Sequence, residues 1–162
     1  MTTSVSTRRY AAVLVAGIAL IVLPLVGAAF KVLWPGWFLF VIMFVSPVLA
    51  IGYILQVVIA VTGFLTPRAA FRTGPARTRA LWAAWLTSVG IAVTGLFFVD
   101  GGDMSWGSAF MYIIGLPSDD GAAAISYLLT ILGITAWIGG WVWLLVEWIV
   151  TLVRRRRRPQ VA

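Results

Sequence analysis

Four apolar runs, at residues 10–33, 37–63, 80–99 and 122–153, dominate the chain, and none carries an Asp, Lys or Arg in its middle. A helix needs ~20 such residues to cross the hydrocarbon of a bilayer, where every backbone N–H and C=O must be paired within the segment. Each run is long enough. Strands of a membrane β-barrel would read instead as ~10-residue alternating segments. The runs predict an all-α membrane protein, a four-transmembrane-helix bundle built as two antiparallel hairpins. Composition agrees: of the 162 residues 62% are hydrophobic and only 10% charged, an apolar surface for which a bilayer is the natural solvent.

The cations set an expected orientation. Arg8 and Arg9 precede the first run, Arg68, Arg72, Arg77 and Arg79 lie in the 64–79 loop, and Arg154 to Arg158 follow the last run, which leaves Lys31 alone on the other side. All four aspartates, Asp100, Asp103, Asp119 and Asp120, fall in the 100–121 loop. The positive-inside rule then places both termini and the 64–79 loop in the cytoplasm and the 31–36 turn and the 100–121 loop outside, as expected for a multi-pass protein of the plasma (inner) membrane. Insertion accounts for the net charge of +7 without nucleic acid as a partner. The basic tail, residues 154–162, is expected to attract anionic lipid, at ~1 kcal/mol per cation near the surface. Arginine in large excess over lysine, with abundant Ala, Gly and Val, fits a bacterial or phage coding sequence. The first run exceeds the ~7–15-residue core of a signal peptide, so it is expected to remain as the first helix.

Local signals refine this picture. Pro35 and Gly36, flanked by Trp34 and Trp37, predict a tight turn between the first two helices. Pro24 and Pro47 sit at similar depth, and each frees a carbonyl one turn earlier. The 64–79 loop, broken by Pro67, Gly74 and Pro75, reads as a basic linker on the lipid surface. In the 100–121 loop the apolar centre, residues 106–116, is too short to span and predicts an interfacial segment, after which Ser118 or Asp119 can cap the fourth helix.

Absences exclude most chemistry. The chain has no Cys and no His, hence no thiol nucleophile, imidazole base or histidine-ligated metal or haem. The acids of the 118–121 stretch lack the further carboxylates that a Mg²⁺ or Ca²⁺ site would need. No catalytic residue, cofactor or metal site is expected, and the chain does not read as an enzyme.

One carboxylate remains inside an apolar run, Glu147. Stepping back by sevens along its helix gives Gly140, Gly133 and Ser126, and stepping forward gives Arg154, so these residues share one strip. Small residues on a strip let another backbone approach, which points Glu147 into the bundle or an oligomer interface. Arg154 can reach back toward it. Gln56 is the only amide within a span, and Ala84, Ser88, Ala92 and Gly95 form a second small strip expected to meet the first. Trp137, Trp141 and Trp148 lie on a different face, a candidate for contact with lipid or a partner. The expected role is a non-enzymatic accessory or interaction subunit of a larger membrane assembly, with another membrane protein or a second copy of itself as partner. The competing expectation is a homo-oligomeric channel, a holin-like protein or a proton-coupled transporter using Glu147.

Overall fold

A computed structural model describes residues 3–34, 36–102 and 105–156. Pro35, Asp103, Arg157 and Arg158 lie outside the described residues, as do the side chains of Arg8, Arg9 and Arg156. The chain is mostly helical: α1 (Thr3–Leu33), α2 (Phe38–Ala60), α3 (Ala76–Phe97), a short α4 (Ala109–Ile113) and α5 (Asp120–Arg156). Four of these, all but α4, are long and apolar enough to cross a membrane. α2 runs on into a π-helical turn, Val61–Leu65, and two-residue strands β1 (Asp100–Gly101) and β2 (Trp106–Gly107) pair antiparallel before α4.

α3 is the central helix. Its most extensive packing is against α5 and its next against α1, whereas α1 and α2 meet far less. Glycines explain the closeness. A Cβ added at Gly90 would lie 2.5 Å from the backbone nitrogen of Trp137, and one at Gly140 would lie 2.7 Å from that of Thr87. On the other flank, a Cβ on Gly27 would come within 2.8 Å of the Ile91 carbonyl oxygen, and one on Gly95 would collide with the Gly27 backbone. Backbones in lipid pack through such contacts because burial of apolar side chains brings no gain there.

The small strips therefore meet in a different register from the one expected. Gly133 and Gly140 of α5 face Thr87, Gly90 and Thr94, while Gly95 belongs to the α1 side. Ala84 and Ser88 are fully buried and Ala92 is half-buried. The reason is that α3 is packed on two flanks, so one strip cannot serve both neighbours.

The 66–75 connection also departs from expectation. Ala69, Ala70 and Phe71 are buried, and the Phe71 ring packs 5.1 Å from that of Phe64 in the main core with Leu20, Ile59 and Leu144. Arg155 clamps the connection from α5, donating from Nη1 to the Arg68 carbonyl at 2.9 Å and from Nη2 to that of Ala69 at 3.0 Å. At the opposite end the 106–116 segment folds onto the bundle: Met111 is buried with Ala122 and Ala123, and Ser108 Oγ bonds Ser126 Oγ at 3.0 Å. Asp119 caps α5, accepting from the Ala122 N–H at 2.7 Å.

Gly90→Leu is expected to overpack the α3–α5 contact and cost ~1–3 kcal/mol or more. Gly139→Leu, where an added Cβ meets nothing within 4 Å, is expected to be neutral. Thermal unfolding of the two variants in the same detergent checks the contrast.

Candidate functional site: polar clamps around an apolar cavity

The polar groups inside the spans are few, and Glu147, Gln56 and Tyr53 among them bond across helices. Glu147, with its side chain 12% exposed, receives a two-pronged contact from Arg79 in the first turns of α3: Nε to Oε1 at 2.6 Å and Nη2 to Oε2 at 3.3 Å. The fork matches the planar carboxylate. It also answers a local problem, because α3 begins with Arg77 and Arg79 and has no acid in its first turn, a placement the helix dipole disfavours. Glu147 supplies the missing negative charge from α5. Arg154, the partner reachable along the same strip, is instead exposed, because the neighbouring helix offers a guanidinium at shorter range.

Gln56 has a different task from Glu147 and lies apart from it. It is 3% exposed, and its Nε2 donates to the Leu20 carbonyl at 2.7 Å. Leu20 stands four residues before Pro24, so its carbonyl is the one that the proline leaves without an N–H. Tyr53, one turn earlier on α2, donates to the adjacent Ile21 carbonyl at 3.0 Å. The second proline is patched within its own helix, Ser46 Oγ donating to the Met43 carbonyl at 2.8 Å, four residues before Pro47. Ser88 Oγ and Thr130 Oγ1 are buried without a hydrogen-bond partner among the described residues.

Lys31, the cation on the sparsely charged side, is 7% exposed and donates to the Phe98 carbonyl at 2.9 Å, with Asp100 Oδ2 3.8 Å away. Both Asp100 oxygens accept from the Phe38 N–H at 3.1 Å, so a residue 62 positions away caps α2. Gly36 is required here, since a Cβ would overlap the Asp100 carboxyl group. Sequence reasoning missed the Lys31–Asp100 pair. The only signal was a lone cation on one side facing a loop that held all the aspartates.

Between these clamps α2 stands away from the bundle. None of its most apolar stretch is buried, against 39% for the corresponding stretches of α1 and α3. Behind it lies an apolar cavity of about 690 Å³, walled by all four spanning helices. Pro24, Gly27, Tyr53 and Gln56 line it from α1 and α2, and Trp137 and Trp141 line it from α5. Trp148 also turns toward α2, its Nε1 donating to Thr62 Oγ1 at 3.0 Å. The three indoles expected on a partner face thus lie against the cavity and α2. The strip of Ser126, Gly133 and Gly140 is occupied within the chain by Ser108 and α3.

Compared with protein-family models, with curated proteins and with solved structures, the chain shows no match.

The Gln56–Leu20 bond predicts a coupled pair of variants. Gln56→Leu is expected to cost ~1–2 kcal/mol by leaving a carbonyl unpaired in hydrocarbon. In a Pro24→Ala background, where residue 24 regains an N–H for Leu20, the same change is expected to cost close to nothing. A double-mutant cycle on unfolding in detergent measures the coupling.

Proposed function

We propose that the chain is a four-span protein of the plasma (inner) membrane, both termini and the 64–79 loop cytoplasmic, acting without catalysis as an accessory or interaction subunit of a larger membrane assembly. The observation that carries this reading is the engagement of the intramembrane charges: Glu147 is forked by Arg79, and Lys31 is bound to the Phe98 carbonyl beside Asp100. Groups committed to holding helices are poorly placed to relay protons or ions. The competing reading, a homo-oligomeric channel, holin-like protein or proton-coupled transporter, needs Glu147 released from Arg79.

The surface proposed for the partner is the outer face of α2, whose Phe40, Phe44 and Ile51 are exposed, Phe44 at 87%. α2 is the spanning helix least engaged with its own bundle, and the proposed occupant is a transmembrane helix of another membrane protein. The tail and loop arginines would add attraction to anionic lipid on the cytoplasmic side.

The chain has no Cys, so single cysteines report cleanly. Phe44→Cys is expected to crosslink to one co-purifying membrane protein at stoichiometric yield, and Leu128→Cys, exposed on α5, is not. A complex containing only copies of this chain would overturn the accessory reading. Independently, Glu147→Gln is expected to lower the thermal midpoint in detergent while leaving the proton permeability of reconstituted liposomes equal to that of wild type. Loss of a wild-type proton flux in that variant would move the conclusion to transport.

A further inference from the structure

The cavity behind α2 is long and apolar, and Lys31 is among the residues at one end of it. Along α2 its lining extends from Phe38 to Gln56, about 27 Å at ~1.5 Å per residue. That is close to the ~30 Å thickness of bilayer hydrocarbon. Its volume of 690 Å³ lies inside the range of ~300–1,000 Å³ found for small-molecule sites. At roughly 30 Å³ for each water-sized group, a methylene being of similar bulk, it holds on the order of 20 chain carbons.

Lys31 lines that end of the cavity beside Phe38 and Phe98. An ammonium has three donors. Among the described residues, Lys31 Nζ makes one hydrogen bond, to the Phe98 carbonyl, and Asp100 Oδ2 at 3.8 Å is beyond hydrogen-bond range. The Asp100 oxygens are themselves occupied by the N–H groups of Phe38 and Gly101. A cation that is 7% exposed therefore holds unspent donors at the end of a slot with apolar walls. The Phe98 carbonyl, the Asp100 carboxylate and the Phe98 ring, 4.8 Å from Nζ, hold the ammonium in place, and an anionic oxygen group at that end would accept from its two remaining donors.

We propose that the cavity between α2 and the α1–α3–α5 unit binds one long hydrocarbon chain ending in an anionic oxygen group, the chain lying along α2 toward Gln56 and the oxygens accepting from Lys31. Two sources share this chemistry, a phospholipid that inserts one acyl tail and a free fatty acid. The proposal does not depend on the accessory reading, since the occupied surface is the inner side of α2 and the partner surface is the outer side.

The test is photolabelling of the full chain in phosphatidylcholine vesicles containing a small fraction of either phosphatidylglycerol or a free fatty acid, each with a diazirine in its acyl chain. Peptide mass mapping is expected to place adducts on Trp137 and Trp141 severalfold above those on Phe44 and Ile51 of the outer face. The probe giving the higher yield identifies the source. Gly52→Phe, at a cavity-lining position where an added Cβ meets nothing within 4 Å, is expected to abolish the interior adducts. Lys31→Gln, which retains a donor for the Phe98 carbonyl, is expected to reduce them severalfold. Adducts no denser on the interior tryptophans than on Phe44 and Ile51 would overturn the proposal, and so would interior adducts undiminished in Gly52→Phe. The wild-type distribution is decisive by itself if that variant does not fold.

Discussion

Backbone contact between α3 and its two neighbours is the interaction to which the rest of the bundle is referred. At Gly90, Gly133 and Gly140 on one flank, and at Gly27 and Gly95 on the other, there is no room for a Cβ. Lipid tails are as apolar as leucine, so the gain from these contacts is dispersion between closely fitted surfaces, and closeness decides it. α1, α3 and α5 thereby form one unit. α2 takes the remaining place, beside the Pro24 region of α1, and is held mainly at its ends.

Those ends show how apolar surroundings shape polar chemistry. A carbonyl without a partner in apolar surroundings is destabilising, so each proline calls for a donor. Ser46 serves Pro47 locally, while Pro24 is served from across the helix pair by Gln56. The second arrangement does more than repair a bond: it fixes α2 against α1 at one depth and one rotation. Asp100 plays the same double part at the other end, capping α2 while lying beside Lys31. The Arg79–Glu147 fork repeats the pattern between α3 and α5. Gln56, Asp100 and Glu147 each satisfy a local need with a group from a distant segment, and these pairings fix how the helices sit against one another.

Much of this fold was legible in the sequence because the bilayer demands length and apolarity, and those are properties of single segments. The four spans, the apolar segment in the 100–121 loop and the Asp119 cap can each be read without knowing any neighbour. Pairings could not be read in the same way. Seven-residue spacing put Glu147 on the strip of Gly140 and Gly133, but spacing within one helix favours Arg154 over Arg79, whose approach depends on how α3 crosses α5. The tryptophans show the same limit: periodicity grouped Trp137 with Trp141 and Trp148, and only packing decides whether that face looks at lipid or at α2. Gln56 was the recoverable case, since a lone amide in one span and a proline in the next make a donor and a vacant acceptor. Phe71 was not recoverable, because a basic segment rich in Pro and Gly reads as surface until the space beside Phe64 and Gly63 is known.

The cavity follows from the same small residues that make the bundle tight. Gly27 and Gly95 let α1 and α3 meet backbone to backbone, yet both also line the cavity, together with Ala28. A helix pair drawn together by glycine has short side chains along its seam, so the side turned to α2 is a trough. α2 cannot settle into it, because Gln56 and Tyr53 tether one end to the Leu20 and Ile21 carbonyls and Asp100 tethers the other. Gly52, facing the trough from α2, adds no bulk. Close packing on one side of α1 and α3 and empty space on the other are two consequences of one choice of residue size.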